Sequence, residues 1–176
     1  MYIPPHHRFD DRAAQLDLID AHPLGTWVCL GADGLTASHR PFVLDRNRGN
    51  HGTLSVRIDP DDAGARAVPA GAPSLIVFHG PQAYISPGWY PGKAEHGRVV
   101  PTWNYVVVHA HGAVRWTADG AGIEIAIQRL EGKLKASQDE ARADREGTVV
   151  GLTASGSEAA RTMAALVQHA LNTSPH

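Results

Sequence analysis

Short apolar runs, cut at close intervals by Gly, Pro and Asp, limit what this chain can become. Runs of roughly four to eight residues bounded by turn signals suit strands; helices need longer periodic segments. Strands are predicted at 24–30, 35–44, 52–58, 74–79, 82–86, 103–116 and 122–127. Gly31-Ala32-Asp33-Gly34 has turn chemistry, Asp59-Pro60-Asp61-Asp62 stops a strand and opens a short helix through 66, and Gly80-Pro81 parts two strands. Residues 87–100, with three Gly and two Pro, read as a loop. One helix is predicted up to residue 21, capped by Asp10 or Asp11 and facing inward through Ala14, Leu18 and Ile19. A second is predicted at 158–171, with a frayed tail from Asn172. Many short strands and few helices predict a mainly β (β+α) fold, an antiparallel barrel with a few peripheral helices. At 176 residues the chain is read as a single domain, 1–176.

Charge gives no argument for nucleic acid or membrane, because the net charge is −2 at pH 7. No helix-turn-helix pattern or basic stripe is readable, so direct DNA binding has no support in the sequence. No run approaches the ~20 apolar residues that span a bilayer, and the Pro- and His-rich start does not read as a signal peptide. The single Cys29, in an apolar strand-like run, excludes an intrachain disulfide and suits the cytoplasm. It reads as a buried, inert thiol.

The scarce aromatic residues are concentrated where polar residues accompany them. Gly80 to Tyr90 contains Tyr84, Trp89 and Tyr90 beside Ser86; Val100 to His109 contains Trp103 and Tyr105 around Asn104. A site that stacks a flat ring and hydrogen-bonds its edge uses this mixture. Strand alternation places Trp103 and Tyr105 on one face and Asn104 on the other. His109 and His111 also share a face, as a metal pair would, but spacing does not select a third ligand among His6, His7, His79 and Asp45. They read as polar strand histidines.

Motif order adds a family. Met1-Tyr2-Ile3-Pro4-Pro5-His6, His22-Pro23-Leu24-Gly25-Thr26 and His39-Arg40-Pro41-Phe42-Val43-Leu44-Asp45 precede the aromatic stretches. Leu130-Glu131-Gly132-Lys133-Leu134-Lys135-Ala136-Ser137-Gln138 and Asp144-Arg145-Glu146-Gly147 follow them. In this order the chain resembles the FMN-binding negative transcriptional regulator (PaiB-like) family. The resemblance implies a split β-barrel of the FMN-binding type, a homodimer, and FMN at the subunit interface.

FMN needs charge and donors at its phosphate and an apolar slot for its ring. With no Gly-rich phosphate loop, side chains must hold the phosphate. His39, Arg40, Arg57, Lys133, Lys135, Ser137 and Gln138 are the candidates; the resemblance favours Lys135, Ser137 and Gln138 as a group, and Arg40 and Arg57 to a lesser degree. Ser86, Trp103, Asn104 and Tyr105 are the candidates for the ring and ribityl chain.

Two departures from the family pattern stand out. Thr53-Leu54 occupies the place of a Gly-His pair before Arg57, and the family's helical segment is replaced near residues 118–122 by Ala118-Asp119-Gly120-Ala121. Asp-Gly favours a type I′ turn, so a tight hairpin is expected there, with a more open cofactor rim and FMN weakly held or absent on purification. The expected role is flavin binding or sensing. The rival is a flavin-dependent oxidoreductase acting on a small or haem-like substrate.

Overall fold

The computed structural model describes residues 1–31, 34–93, 97 and 99–173. Its strands are β1 Leu24–Gly31, β2 Gly34–Pro41, β3 Val43–Asp45, β4 Thr53–Arg57, β5 Pro73–Ile85, β6 Thr102–Trp116 and β7 Gly122–Lys135. They join one sheet in the order β2-β1-β5-β6-β7-β4-β3. The helices are α1 Arg12–Ala21, α2 Ala63–Arg66, α3 Arg142–Ser155 and α4 Glu158–Thr173. Two compact units result: a larger one of Asp10–His79 and Val107–Gly132, and a smaller one of Met1–Phe9, Gly80–Val106 and Lys133–His176.

In the larger unit, β1 pairs antiparallel with β2 from Leu24↔Pro41 to Gly31↔Gly34, and with β5 from Thr26↔Val77 to Cys29↔Ser74. β4 pairs antiparallel with β3 and β7, matching Leu54 to Leu44 and to Ile125. β2 and β3 stand at opposite ends of the strand order, yet only Phe42 separates them. One residue spans ~3.8 Å, so the sheet of this unit must curl until its edges meet. Phe42 anchors the crossing: it is buried, its N–H donates to the Pro23 carbonyl at 2.9 Å, and its ring meets Phe78 edge-on at 6.1 Å. The single strand expected at 35–44 is therefore two, because the chain changes sheet edge at Phe42.

Trp27, Leu54, Ile76, Phe78, Ile123 and Ile125 are buried core residues of this unit. The α1 helix starts where Asp11 accepts N–H bonds from Ala13 and Ala14. Leu16 and Ile19 are its buried apolar residues; Ala14 and Leu18, expected inward, are only half-buried. Asp62 caps α2 in the same manner, through the Ala65 N–H at 2.9 Å.

The hairpin expected at the shortened segment is present, with a different turn. The Thr117 N–H donates to the Gly122 carbonyl at 3.0 Å and the Gly120 N–H to the Thr117 carbonyl at 2.8 Å. Gly120 has φ +65°, but Asp119 does not have positive φ, so this is not type I′. The loop is a wider one of the type I kind, closed by a left-handed Gly. The Asp119 carboxylate holds it by accepting from the Thr117 hydroxyl at 2.5 Å and the Ala121 N–H at 3.0 Å.

Three further expectations need correction. Gly80-Pro81 does not break the strand: β5 runs through it, and the chain passes there from the larger unit to the smaller. Proline's fixed φ suits extended backbone and removes only one donor. The strand expected at 122–127 continues to Lys135. The helix α3 was not foreseen, because Gly147 and Gly151 depress its helix propensity. Both positions face the 3₁₀ turn Pro87–Trp89: a Cβ on Gly151 would meet the Trp89 ring at 2.2 Å, and one on Gly147 the Trp89 carbonyl at 2.0 Å. Of the predicted turns and tail, Ala32, Asp33 and residues 94–96, 98 and 174–176 lie outside the described residues.

Replacing Gly151 with Ala is expected to destabilise the protein by about 1–3 kcal/mol in urea unfolding, although Ala is the better helix former. In a double-mutant cycle with Trp89→Ala, the cost of Gly151→Ala should largely disappear. An unchanged cost would show that Trp89 is not its cause.

Candidate functional site

Where the sheet edges of the larger unit meet, the structure has a cavity of about 700 Å³. This lies within the roughly 300–1,000 Å³ of small-molecule sites. Pro41, Val43, Val56 and Ile123 supply apolar lining. His39 and Arg40 come from the end of β2, Ser55 and Arg57 from β4, and Thr117 and Asp119 from the hairpin turn. Three sequence candidates, His39, Arg40 and Arg57, are thus brought together. Ser55, Thr117 and Asp119 were missed; only the pairing of β4 with β7 places them there.

The two arginines differ. Arg40 is ion-paired with Asp62, donates to the Ser38 hydroxyl at 3.2 Å and lies 5.6 Å from the Trp27 ring centroid. The Ala65 N–H, and then Arg40, hold the Asp62 carboxyl below its usual range. Arg57 is 81% exposed and 3.8 Å from Asp119, too far for a hydrogen bond. Its guanidinium therefore retains the fork geometry that grips phosphate. His39 is exposed, with Nδ1 3.0 Å from the Thr26 hydroxyl.

The candidates of the smaller unit mostly serve its own backbone. Asn104 is fully buried and donates to the Ser137 hydroxyl at 2.9 Å. Ser137 is buried at φ +59°. Gln138 closes the same turn from both ends of its amide, accepting from the Ala136 N–H at 2.7 Å and donating to the Leu134 carbonyl at 2.8 Å. Ser86 caps the 3₁₀ turn by accepting from the Gly88 N–H at 3.2 Å.

Lys135 donates to the Thr102 hydroxyl in a second cavity of about 220 Å³, lined also by Tyr90, Asp139 and Glu140. Burial, then the charges of Asp139 and Asp144, raise the Glu140 carboxyl. Burial and then Glu140 push Tyr90 up to about 12. This lining is acidic as well as basic. Trp103 is half-exposed and meets Tyr84 edge-on at 6.2 Å, while Tyr105 has the Lys133 ammonium 5.4 Å from its ring. Strand alternation holds: Asn104 faces inward between them.

His109 and His111 find a neighbour that spacing could not select. Glu131, on β7, lies with its Oε2 2.9 Å from His111 Nε2. A second cluster joins His6, His7 and Asp139. Both depend on contacts across more than nineteen residues of chain, which motif reading cannot supply.

Residues 1–169 match the family described as "Putative FMN-binding domain", and the chain belongs to that family, whose cofactor is FMN. It is 33% identical over 138 residues to an uncharacterized protein of Saccharomyces cerevisiae, covering 68% of this chain and 80% of that one. Protease synthase and sporulation protein PAI 2 of Bacillus subtilis is 29% identical over 112 residues, covering 64% of this chain and 51% of that protein. Among solved structures, the FAD and heme binding protein from Mycobacterium smegmatis aligns with TM-score 0.55 and 16% identity over 73% of each chain. The fold is accordingly a mainly β split barrel of the flavin-binding type. The donor set of the larger unit's cavity suits a phosphorylated ligand, with an accessible guanidinium, an exposed imidazole and two hydroxyl residues beside apolar lining, although the Asp119 carboxylate shares the rim with Arg57.

Burial lowers the pKa of His109 below its ordinary value of 6.5. In the unfolded chain His109 takes up a proton near that value, whereas the folded state resists it. Stability linked to His109 is therefore fully present above about pH 6.5 and is lost as pH falls through the lower folded value. Unfolding measured from about pH 7 down to pH 5 is expected to show a shallower acid loss for His109→Gln than for the unchanged protein. Equal slopes would mean that the imidazole is not kept neutral by burial.

Proposed function

We propose that this protein binds FMN with the phosphate held at the cavity of the larger unit, and that it acts as a flavin-binding regulator in the cytoplasm. The observation that carries the reading is Arg57, the exposed guanidinium at a cavity rim that also gathers His39, Ser55 and Thr117. Bound there, FMN would supply a ring able to report redox state. Arg57 and His39 orient its phosphate, and Pro41, Val43, Val56 and Ile123 shield its apolar parts from water. The regulator role draws support from similarity to a sporulation protein of Bacillus subtilis.

A homodimer is part of the proposal. Leu30, Leu35 and Val43 expose 58%, 80% and 68% of their surface, and a two-fold partner would cover such residues. Light scattering at micromolar concentration is expected to return twice the chain mass, with an interface above ~1,000 Å². A monomer mass would remove the shared-site arrangement.

Arg57→Ala is expected to weaken FMN by about 1.5–3 kcal/mol, the worth of a charge-assisted contact, while changing riboflavin little because riboflavin has no phosphate. Fluorescence titration of both ligands checks this. Lys135→Ala, measured beside it, decides whether the cavity of the smaller unit takes part. Equal losses for both flavins with Arg57→Ala would remove that residue from the phosphate.

A further inference from the structure

His7 is the most enclosed histidine among the described residues of the smaller unit, with only 4% of its surface exposed. Neither ring nitrogen has a hydrogen-bond partner among the described residues. A buried imidazole without partners is costly, so an unpaired one calls for a missing neighbour. Its surroundings suggest which kind. His7 Nε2 stands 3.6 Å from Asp139 Oδ1, and His6 Nε2 stands 3.9 Å from Asp139 Oδ2. Both gaps exceed a hydrogen bond. Donors that share one tetrahedral divalent ion, each at about 2.0–2.2 Å, lie about 3.3–3.5 Å from one another. The two gaps run to different Asp139 oxygens, but one ligand atom from each of the three residues lies within 4.8 Å of the others, a set that a bound ion would draw in by about 1 Å.

The backbone presents the three side chains together. His6 and His7 belong to the 3₁₀ turn Pro5–His7, and their rings converge to 4.2 Å. A bridge between Arg8 and Lys133 ties this segment to β7. Asp139 follows the turn that Ser137 and Gln138 lock. The nearby ammonium groups are engaged elsewhere: Lys133 donates to the Tyr2 carbonyl at 3.3 Å and Lys135 to the Thr102 hydroxyl. The His109 cluster differs on this point. Its His111–Glu131 pair has already closed to 2.9 Å, and Arg129 holds the other Glu131 oxygen at 2.6 Å.

We propose that His6, His7 and Asp139 form a binding site for one divalent transition metal of the zinc class, with a fourth position open to water. Two imidazoles and one carboxylate select Zn²⁺, Co²⁺, Ni²⁺ or Cu²⁺ over Mg²⁺ and Ca²⁺. The bound ion would fasten the amino-terminal segment to the turn after β7.

The test uses the full chain without an affinity tag, stripped of metal and titrated with Co²⁺ by visible absorption and with Zn²⁺ by calorimetry. One equivalent is expected to bind, and Zn²⁺ should raise the melting temperature. Asp139→Asn and His6→Gln, both at exposed side chains, are each expected to weaken binding at least about tenfold and to abolish the thermal shift. Glu131→Gln should leave both unchanged. No saturable binding, or binding unaltered in Asp139→Asn and His6→Gln, would overturn the proposal. Loss confined to Glu131→Gln would also overturn it and move the metal to the His109 cluster.

Discussion

One residue of chain connects the two edges of the sheet. Because β2 and β3 flank Phe42 and stand at opposite ends of the strand order, the larger unit cannot lie flat. Its edges are drawn together, and the cavity forms where they meet. His39 and Arg40 reach it from one edge and Ser55 and Arg57 from beside the other. The site is thus a product of closure, not of a contiguous motif. Phe42 serves that closure through its bond to Pro23 and its packing on Phe78.

Two arginines of the same cavity show how neighbours divide roles between identical side chains. Arg40 is committed to Asp62, Ser38 and the Trp27 face, so it braces β2 against the start of α2. Arg57 makes one long pairing at the rim and stays accessible. A basic residue in a conspicuous motif can therefore be committed to structure while a plainer one stays accessible at the rim. Ser137 and Gln138 follow the same logic: their polar atoms build a turn that presents Asp139.

Where most strands lie, the mainly β class, the flavin-binding family and a hairpin at the shortened segment were legible, because period-two patterning and turn residues are local signals; where strands join, split or end was not. The break at Phe42 was not, since pairing with β4 instead of β1 is decided across the sheet. Gly80-Pro81 misled because its local preference for a turn yields to the strand that passes through it. For the site, residue type identified His39, Arg40 and Arg57 as basic candidates but could not rank them. Glu131 and Asp139 were invisible as partners of histidines, because only strand pairing and turn geometry bring them close.

The glycines of α3 have a consequence for how the smaller unit assembles. A helix carrying Gly147 and Gly151 has little tendency to persist in isolation, since each interior glycine costs about 1 kcal/mol relative to alanine and nucleation is already unfavourable. The same two positions admit Trp89, whose ring and carbonyl fill the space that side chains would take. Helix and docking are therefore a single event. Packing on Trp89 and on α4 together holds α3 helical, so this helix, the turn at residues 87–89 and α4 are expected to open as one cooperative unit.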